Sequence, residues 1–154
     1  MRIVRILEKM RSRLLFAIPL AVILSGLCLL HAYWALGGRR GSAYTVPTVS
    51  GRRLFDPTPV ATWVVCGLLG VAVIVVMGKA GWIGTGPLPV VFDVGVWVLG
   101  VVFMLRAVGN LRTFGFFKTV TGTPFAAWDT WLYSPLCLLL TLLAVGLARL
   151  PQER

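Results

Sequence analysis

The chain encodes an all-α fold, a four-transmembrane-helix bundle that makes a single integral membrane domain of residues 1–154. Composition points there first: 58% of the residues are apolar, only 13% are charged, and the mean hydropathy is +0.88. That is too apolar for an ordinary soluble domain. The placement of the charges points there again, because it leaves four long windows nearly free of them, and roughly 20 apolar residues suffice to cross a hydrocarbon core of about 30 Å. Inside a bilayer every backbone polar group must find its partner within the chain, so these windows are helices rather than strands of a soluble core.

The first span, residues 14–38, carries no formal charge. Its apolar run is too long for a cleaved signal peptide, and no small-x-small site precedes the bulky Tyr33 and Trp34, so it reads as retained. Ahead of it, in MRIVRILEKMRSR, residues Ile3, Ile6, Leu7, Met10 and Leu14 fall on one helical stripe, with Arg2, Arg5, Lys9 and Arg13 mostly off it. Two readings fit: an amphipathic extension lying in the headgroup layer, or a plain basic flank that sets topology.

The second span covers residues 60–78 and the third 88–105, the latter holding Asp93 about five residues from its start. An acid at that depth either snorkels to the near face or makes a buried polar contact, and it is a functional candidate by default. The fourth span covers 130–148. TPVATW at 58–63 and TPFAAW at 123–128 agree at four of six positions, each at the start of an even-numbered span. Both predict a helix start, with Thr58 or Thr123 as N-cap and Pro59 or Pro124 at the first helical position. The match is either this shared chemistry or the mark of two parallel two-helix hairpin repeats.

Loop lengths arrange the spans. The connection at residues 79–87, KAGWIGTGP, is short, whereas the other two exceed twenty residues. Both long loops therefore lie on the face opposite the termini, and such loops carry function more often than the spans beneath them. Which face is cytoplasmic is weakly encoded, since the cations divide eight to seven between the two sides. The basic flank of the first span favours cytoplasmic termini.

A net charge of +10 suggests nucleic acid at first sight, but the cations sit at span ends, where topology and lipid phosphate account for them. No nucleic-acid partner is expected. Cys28, Cys66 and Cys137 each fall within a span, with no C-x-x-C spacing; they read as small apolar core residues, with neither a disulfide framework nor a metal site. H-E-x-x-H, G-x-S-x-G and phosphate-loop patterns are absent, and one histidine cannot supply a two-histidine haem. No metal and no cofactor are expected.

Parity of crossings assembles a candidate site at the long-loop rim. His31 and Trp34 end the first span, on a face shared with Cys28; Arg106, Asn110 and Lys118 follow the third; Trp128, Asp129 and Trp131 begin the fourth. If the third helix continued past Leu105, Arg106 and Asn110 would share a face, with Arg112 turned toward headgroups. Asp129 wants a cation from Arg106, Arg112, Lys118 or His31, or else serves its own helix as a first-turn acid. The tryptophans equally suit an interfacial belt, His31 a structural hydrogen bond, and Arg106 a snorkelling role.

HAYWALGGRRG and RAVGNLRTFGFFKTVTGTPFAAWDTWLYSPLCLLL, spanning about His31 to Leu140, resemble the bacterial membrane proteins grouped as domain-of-unknown-function family 3995. The resemblance implies a multi-pass protein of a bacterial cell membrane with no agreed activity. It implies signature positions at His31, Tyr33, Trp34, Gly37, Gly38, Arg106, Gly109, Phe117, Lys118, Asp129 and Pro135, and often an aspartate where this chain has Asn110.

Two function classes remain. One is a non-catalytic membrane component that binds an anionic amphiphile or a partner protein at the rim. There Arg106 and Lys118 face the anion and Trp34, Trp128 and Trp131 its apolar part. The other is a small membrane-embedded enzyme on a lipid-like substrate, with His31 moving the proton and Asp129 orienting it. The expected partners are membrane lipids, the amphiphile, and a second copy of the chain or another membrane protein.

Overall fold

The computed structural model describes residues 2–49, 52–84 and 88–151, and of their side chains all but those of 2–7, 9 and 43. Among these residues four helical segments are long and apolar enough to cross a membrane: Met10–Ala35, Pro59–Ala80, Pro89–Val108 and Pro124–Ala148. The four-helix, all-α expectation is met.

The first segment belongs to one longer helix, α1 (Arg2–Ala35), which runs unbroken from the basic extension into the span. The apolar stripe expected of that extension lies largely outside the described side chains. Arg13, placed off the stripe, is buried, and its guanidinium donates to the Pro151 carbonyl at 2.7 Å. Pro19 sits inside α1, which a packed membrane helix tolerates because neighbouring groups re-satisfy the freed carbonyl.

Both predicted helix starts are observed. In α2 (Pro59–Ala80) the Thr58 hydroxyl accepts the Ala61 N–H at 3.2 Å, and in α4 (Pro124–Trp128) the Thr123 hydroxyl accepts the Ala126 N–H at 3.1 Å. Helix α2 closes on Gly81 at φ 78°, where the Gly81 and Trp82 N–H groups return to Gly78 and Met77 carbonyls. Helix α3 (Pro89–Val108) stops at Gly109, φ 84°. Asn110 is therefore a loop residue, and its helical alignment with Arg106 is not realised.

The fourth span starts at Pro124, six residues earlier than the charge pattern suggested, because α4 passes through a π turn at Asp129–Tyr133 into α5 (Ser134–Ala148). Pro135 explains that turn. It has no N–H to offer, and in a regular α-helix its ring would meet the Trp131 carbonyl, so the turn widens and the Ser134 N–H bonds Asp129 instead.

The helices run antiparallel around a core of Leu20, Leu24, Val76, Val96, Leu140 and Leu147. Glycines set the spacing. A side chain at Gly146 of α5 would sit 2.5 Å from the Phe16 ring of α1, one at Gly95 of α3 would sit 2.7 Å from Val75 of α2, and one at Gly78 would overlap Phe92. Outward, Val60, Val64, Leu68 and Val71 form an exposed apolar stripe along α2, and Val90, Val94, Val101 and Leu105 form one along α3. A soluble bundle would carry charge there; these surfaces suit lipid.

The two ends differ in chemistry. At the end with the termini, Lys79 is 2% exposed, pairs with Asp93 and donates to the Leu150 carbonyl at 2.7 Å. Asp93 thus makes a polar contact within the bundle. At the other end lie the two long loops. The first holds a short antiparallel hairpin, β1 (Thr48–Val49) with β2 (Arg52–Arg53), and joins the fourth span through Tyr44. The Tyr133 hydroxyl donates to the Tyr44 carbonyl at 3.3 Å, and the Tyr44 and Trp128 rings lie 6.0 Å apart.

Candidate functional site

The centre of the long-loop end is the Asp129 carboxylate, which is fully buried. Four donors reach it: Arg106 Nη2 at 2.9 Å on Oδ1, and the Gly115 N–H at 2.7 Å, Lys118 Nζ at 3.1 Å and Ser134 Oγ at 3.2 Å on Oδ2. Three of these donors share Oδ2 and one holds Oδ1, so both oxygens of the carboxylate are hydrogen-bonded. Burial of a charge is costly unless it is paired and hydrogen-bonded, and here both conditions hold.

Each donor arrives by a different route. Arg106 comes from the last turn of α3, where a cation also suits the helix dipole. Ser134 is five residues beyond Asp129. At 3.6 residues per turn that separation points about 140° away, but the wider π turn brings the two onto one side.

Gly115 is delivered by a folded loop. Asn110 Oδ1 accepts the N–H groups of Arg112, Thr113 and Phe114 at 3.1, 2.7 and 3.2 Å, and its Nδ2 donates to Thr113 Oγ1 at 2.8 Å. The Phe116 N–H then bonds the Ala107 carbonyl at 2.8 Å and closes the loop against the helix end. Gly109 and Gly115 touch at the neck, at φ 84° and 91°. A side chain on either would overlap the backbone of the opposite strand of the loop.

Lys118 follows this loop with a side chain only 4% exposed. Its ammonium donates to Gly115 O, Asp129 Oδ2 and Thr130 Oγ1, so its three protons all have partners. Arg106 differs. Its Nη1 is the buried side-chain nitrogen or oxygen that lacks a hydrogen-bond partner among the described residues. The Phe114 ring, 4.8 Å from the guanidinium carbon, offers it only a cation–π contact. Two cations around one carboxylate leave the cluster with a residual positive charge.

Of the residues expected at the site, Arg106, Lys118 and Asp129 meet directly, and Asn110 supports them through its loop. Arg112 is exposed in the loop after α3. His31 and Trp34 make contacts of their own. The His31 Nδ1 donates to the Leu27 carbonyl at 2.8 Å, and its ring meets Trp34 edge-on at 5.2 Å. Trp34 Nε1 donates to the Arg40 carbonyl at 2.9 Å, which folds the GGRRG turn back on α1. No hydrogen bond joins His31 to Asp129 among the described residues; the His31 Nδ1 is engaged by its own helix instead.

Trp128 is half-exposed against Tyr44, and Trp131 is 84% exposed. Beside Lys118 lies an open recess of about 480 Å³, walled by Thr121, Gly122, Thr123, Thr130 and Trp131. Two contributors were not legible in advance. The Gly115 N–H is a backbone donor with no side-chain signature, and Ser134 reaches Asp129 only through the π turn. The Pro135 that forces the turn was the available sign.

Among the described residues no cluster of three or more histidine, cysteine or acidic side chains is arranged to hold a metal. A family model described as "Protein of unknown function (DUF3995)" matches residues 24–144. Neither the curated proteins nor the solved structures contain a match to the chain.

Proposed function

Since the chain belongs to the DUF3995 family, whose description assigns no activity, we propose a function from its geometry: a non-catalytic membrane component that binds an anionic amphiphile at the long-loop rim. The observation that carries this reading is the buried, partnerless Nη1 of Arg106. A buried guanidinium nitrogen without an acceptor is unfavourable, and a phosphate or carboxylate oxygen is the acceptor its charge and geometry suit best. The residual positive charge of the Arg106–Asp129–Lys118 cluster favours the same ligand. Trp131, standing clear of the bundle, and the recess beside it give acyl or isoprenoid carbon a surface to lie against.

Lys118 has a different part from the one its charge suggested. With all three protons engaged it positions Asp129, which in turn holds Arg106; the partly exposed Arg106 side chain offers its Nη1 to the ligand. His31 shapes the neighbouring GGRRG turn through Trp34. The setting proposed is a bacterial cell membrane with both termini cytoplasmic, supported by the basic flank of α1. Lipids are the proposed partners, with self-association or a membrane protein partner open to the long-loop rim.

Native mass spectrometry of the detergent-solubilised chain, with extraction of copurifying lipids, tests the reading. Wild type retains an anionic amphiphile. Arg106→Lys keeps the charge but removes the free nitrogen, and is expected to lower retention about tenfold, corresponding to about 1.4 kcal/mol. Unchanged retention in a folded Arg106→Lys protein, or the absence of any anionic amphiphile from wild type, would refute it.

A further inference from the structure

Cys28 and Cys66 are far apart in sequence and gave no sign of association, yet packing of α1 against α2 brings their sulfurs to 3.6 Å. Each thiol also lies within bonding reach of the other residue's carbonyl: Cys28 Sγ to Cys66 O at 3.3 Å, and Cys66 Sγ to Cys28 O at 3.4 Å. Both carbonyls lie within helices and accept i+4 amides there, so losing the thiol protons would strand neither. Gly70 faces Cys28 Sγ without a side chain of its own; a Cβ built there would lie 3.9 Å from that sulfur.

Depth selects the reagent. Cys28 lies seven residues before the end of α1 and Cys66 seven after the start of α2, which puts both about 10 Å inside the rim at 1.5 Å per residue. Cys66 is buried, but Cys28 is only partly so and reaches the bundle surface. An oxidant arriving there must dissolve in hydrocarbon.

From this geometry we infer that Cys28 and Cys66 form a reversible dithiol–disulfide site between α1 and α2, oxidised by a lipid-soluble quinone. Two S–H bonds break and one S–S bond forms. The two electrons and two protons pass to the quinone, which leaves as the hydroquinone; a dithiol reductant restores both thiols. The sulfurs must close from 3.6 Å to about 2.05 Å, a movement that side-chain rotation and a small helix shift supply. Oxidation fastens α1 to α2 just below the rim and restricts their relative motion. This site is independent of the amphiphile reading and neither stands on the other.

The test uses the full chain in membranes, with Cys137→Ser to remove the third thiol. After treatment with a lipophilic quinone, thiols are alkylated and the protein is digested without reductant. The expected result is a Cys28–Cys66 linked peptide lighter by two hydrogens, one hydroquinone formed per link, and loss of the link on dithiol treatment or in Cys66→Ser. Copper–phenanthroline serves as a geometric control. If copper–phenanthroline links the pair and quinone does not, the assigned oxidant is wrong and the proposal fails. If neither links them, the sulfurs serve packing alone and it fails outright.

Discussion

Asp129 concentrates the energetics of the long-loop end in one side chain. Its carboxylate is the counter-charge for Arg106 and for the buried Lys118, so removing it strands two cations. Asp129→Asn is expected to destabilise the fold by about 3–5 kcal/mol, measured by reversible unfolding in mixed micelles. Asn110 offers a gentler contrast. Its Oδ1 accepts three backbone N–H groups, a task a carboxylate performs as well, and the Thr113 hydroxyl can then donate where it now accepts. Asn110→Asp should therefore leave the unfolding midpoint near wild type, while Asn110→Ala strands the three donors and costs about 1–3 kcal/mol. His31→Gln keeps a side-chain donor within reach of Leu27; amphiphile retention should stay within about twofold, or 0.4 kcal/mol, of wild type. Loss of a turnover, if one were found, would favour acid–base chemistry instead. Charge and parity narrowed the partners of Asp129 to four cations, of which packing selected Arg106 and Lys118. Three-residue spacing shows which side chains share a helix face but not which neighbour that face meets, and the hydrogen bond that His31 makes is to its own helix.

Among the elements, the fourth span shows best how local chemistry and packing divide the work. Thr123 and Pro124 start it, as the pattern required, and Thr123→Ala should cost about 1 kcal/mol through the lost cap, readable in the same unfolding assay. The course of the span beyond its cap was hidden. A continuous helix from Pro124 places its charged residue inside the span, and the π turn at Pro135 alters which residues share a face. Charge counting starts a span at the first uncharged residue and so could not include Asp129. Between elements the tolerance is steric: Gly146 holds α5 against the Phe16 ring of α1, and Gly146→Leu should lower stability by about 1–3 kcal/mol or prevent assembly of the span. The same substitution at Gly26, which has open space around it, should be tolerated, and equal losses at both positions would show that the helix approach is not the cause.

For the whole molecule, charge is sorted to the two ends and the sides are apolar. At the terminal end Lys79 joins Asp93 and the Leu150 carbonyl, while Arg13 joins the Pro151 carbonyl; α2, α3, α1 and the end of α5 are thereby tied together. At the other end Asp129 ties α3 to the fourth span, and Tyr44 ties the first long loop to it. Single cysteines introduced at Arg40 and at Phe117, which is exposed, in a background without the native thiols, should react with an impermeant maleimide from the same side of the membrane. Labelling from opposite sides would break the shared rim. A cysteine at Trp82, exposed in the short connection after α2, should then react from the opposite side.

By itself the sequence determined that this chain spans a membrane with four helices, where two of them start, and that its charged loops share one end. Those properties follow from transfer cost and capping chemistry, which act on residues near one another in the chain. Tertiary structure alone decided that Lys79 answers Asp93, that Gly115 and Ser134 complete the shell of Asp129, and that Cys28 meets Cys66. Each of those contacts depends on how far two helices approach and how each is rotated about its axis. Glycine spacing and the Pro135 turn set those quantities together, and they have no value until the helices are packed.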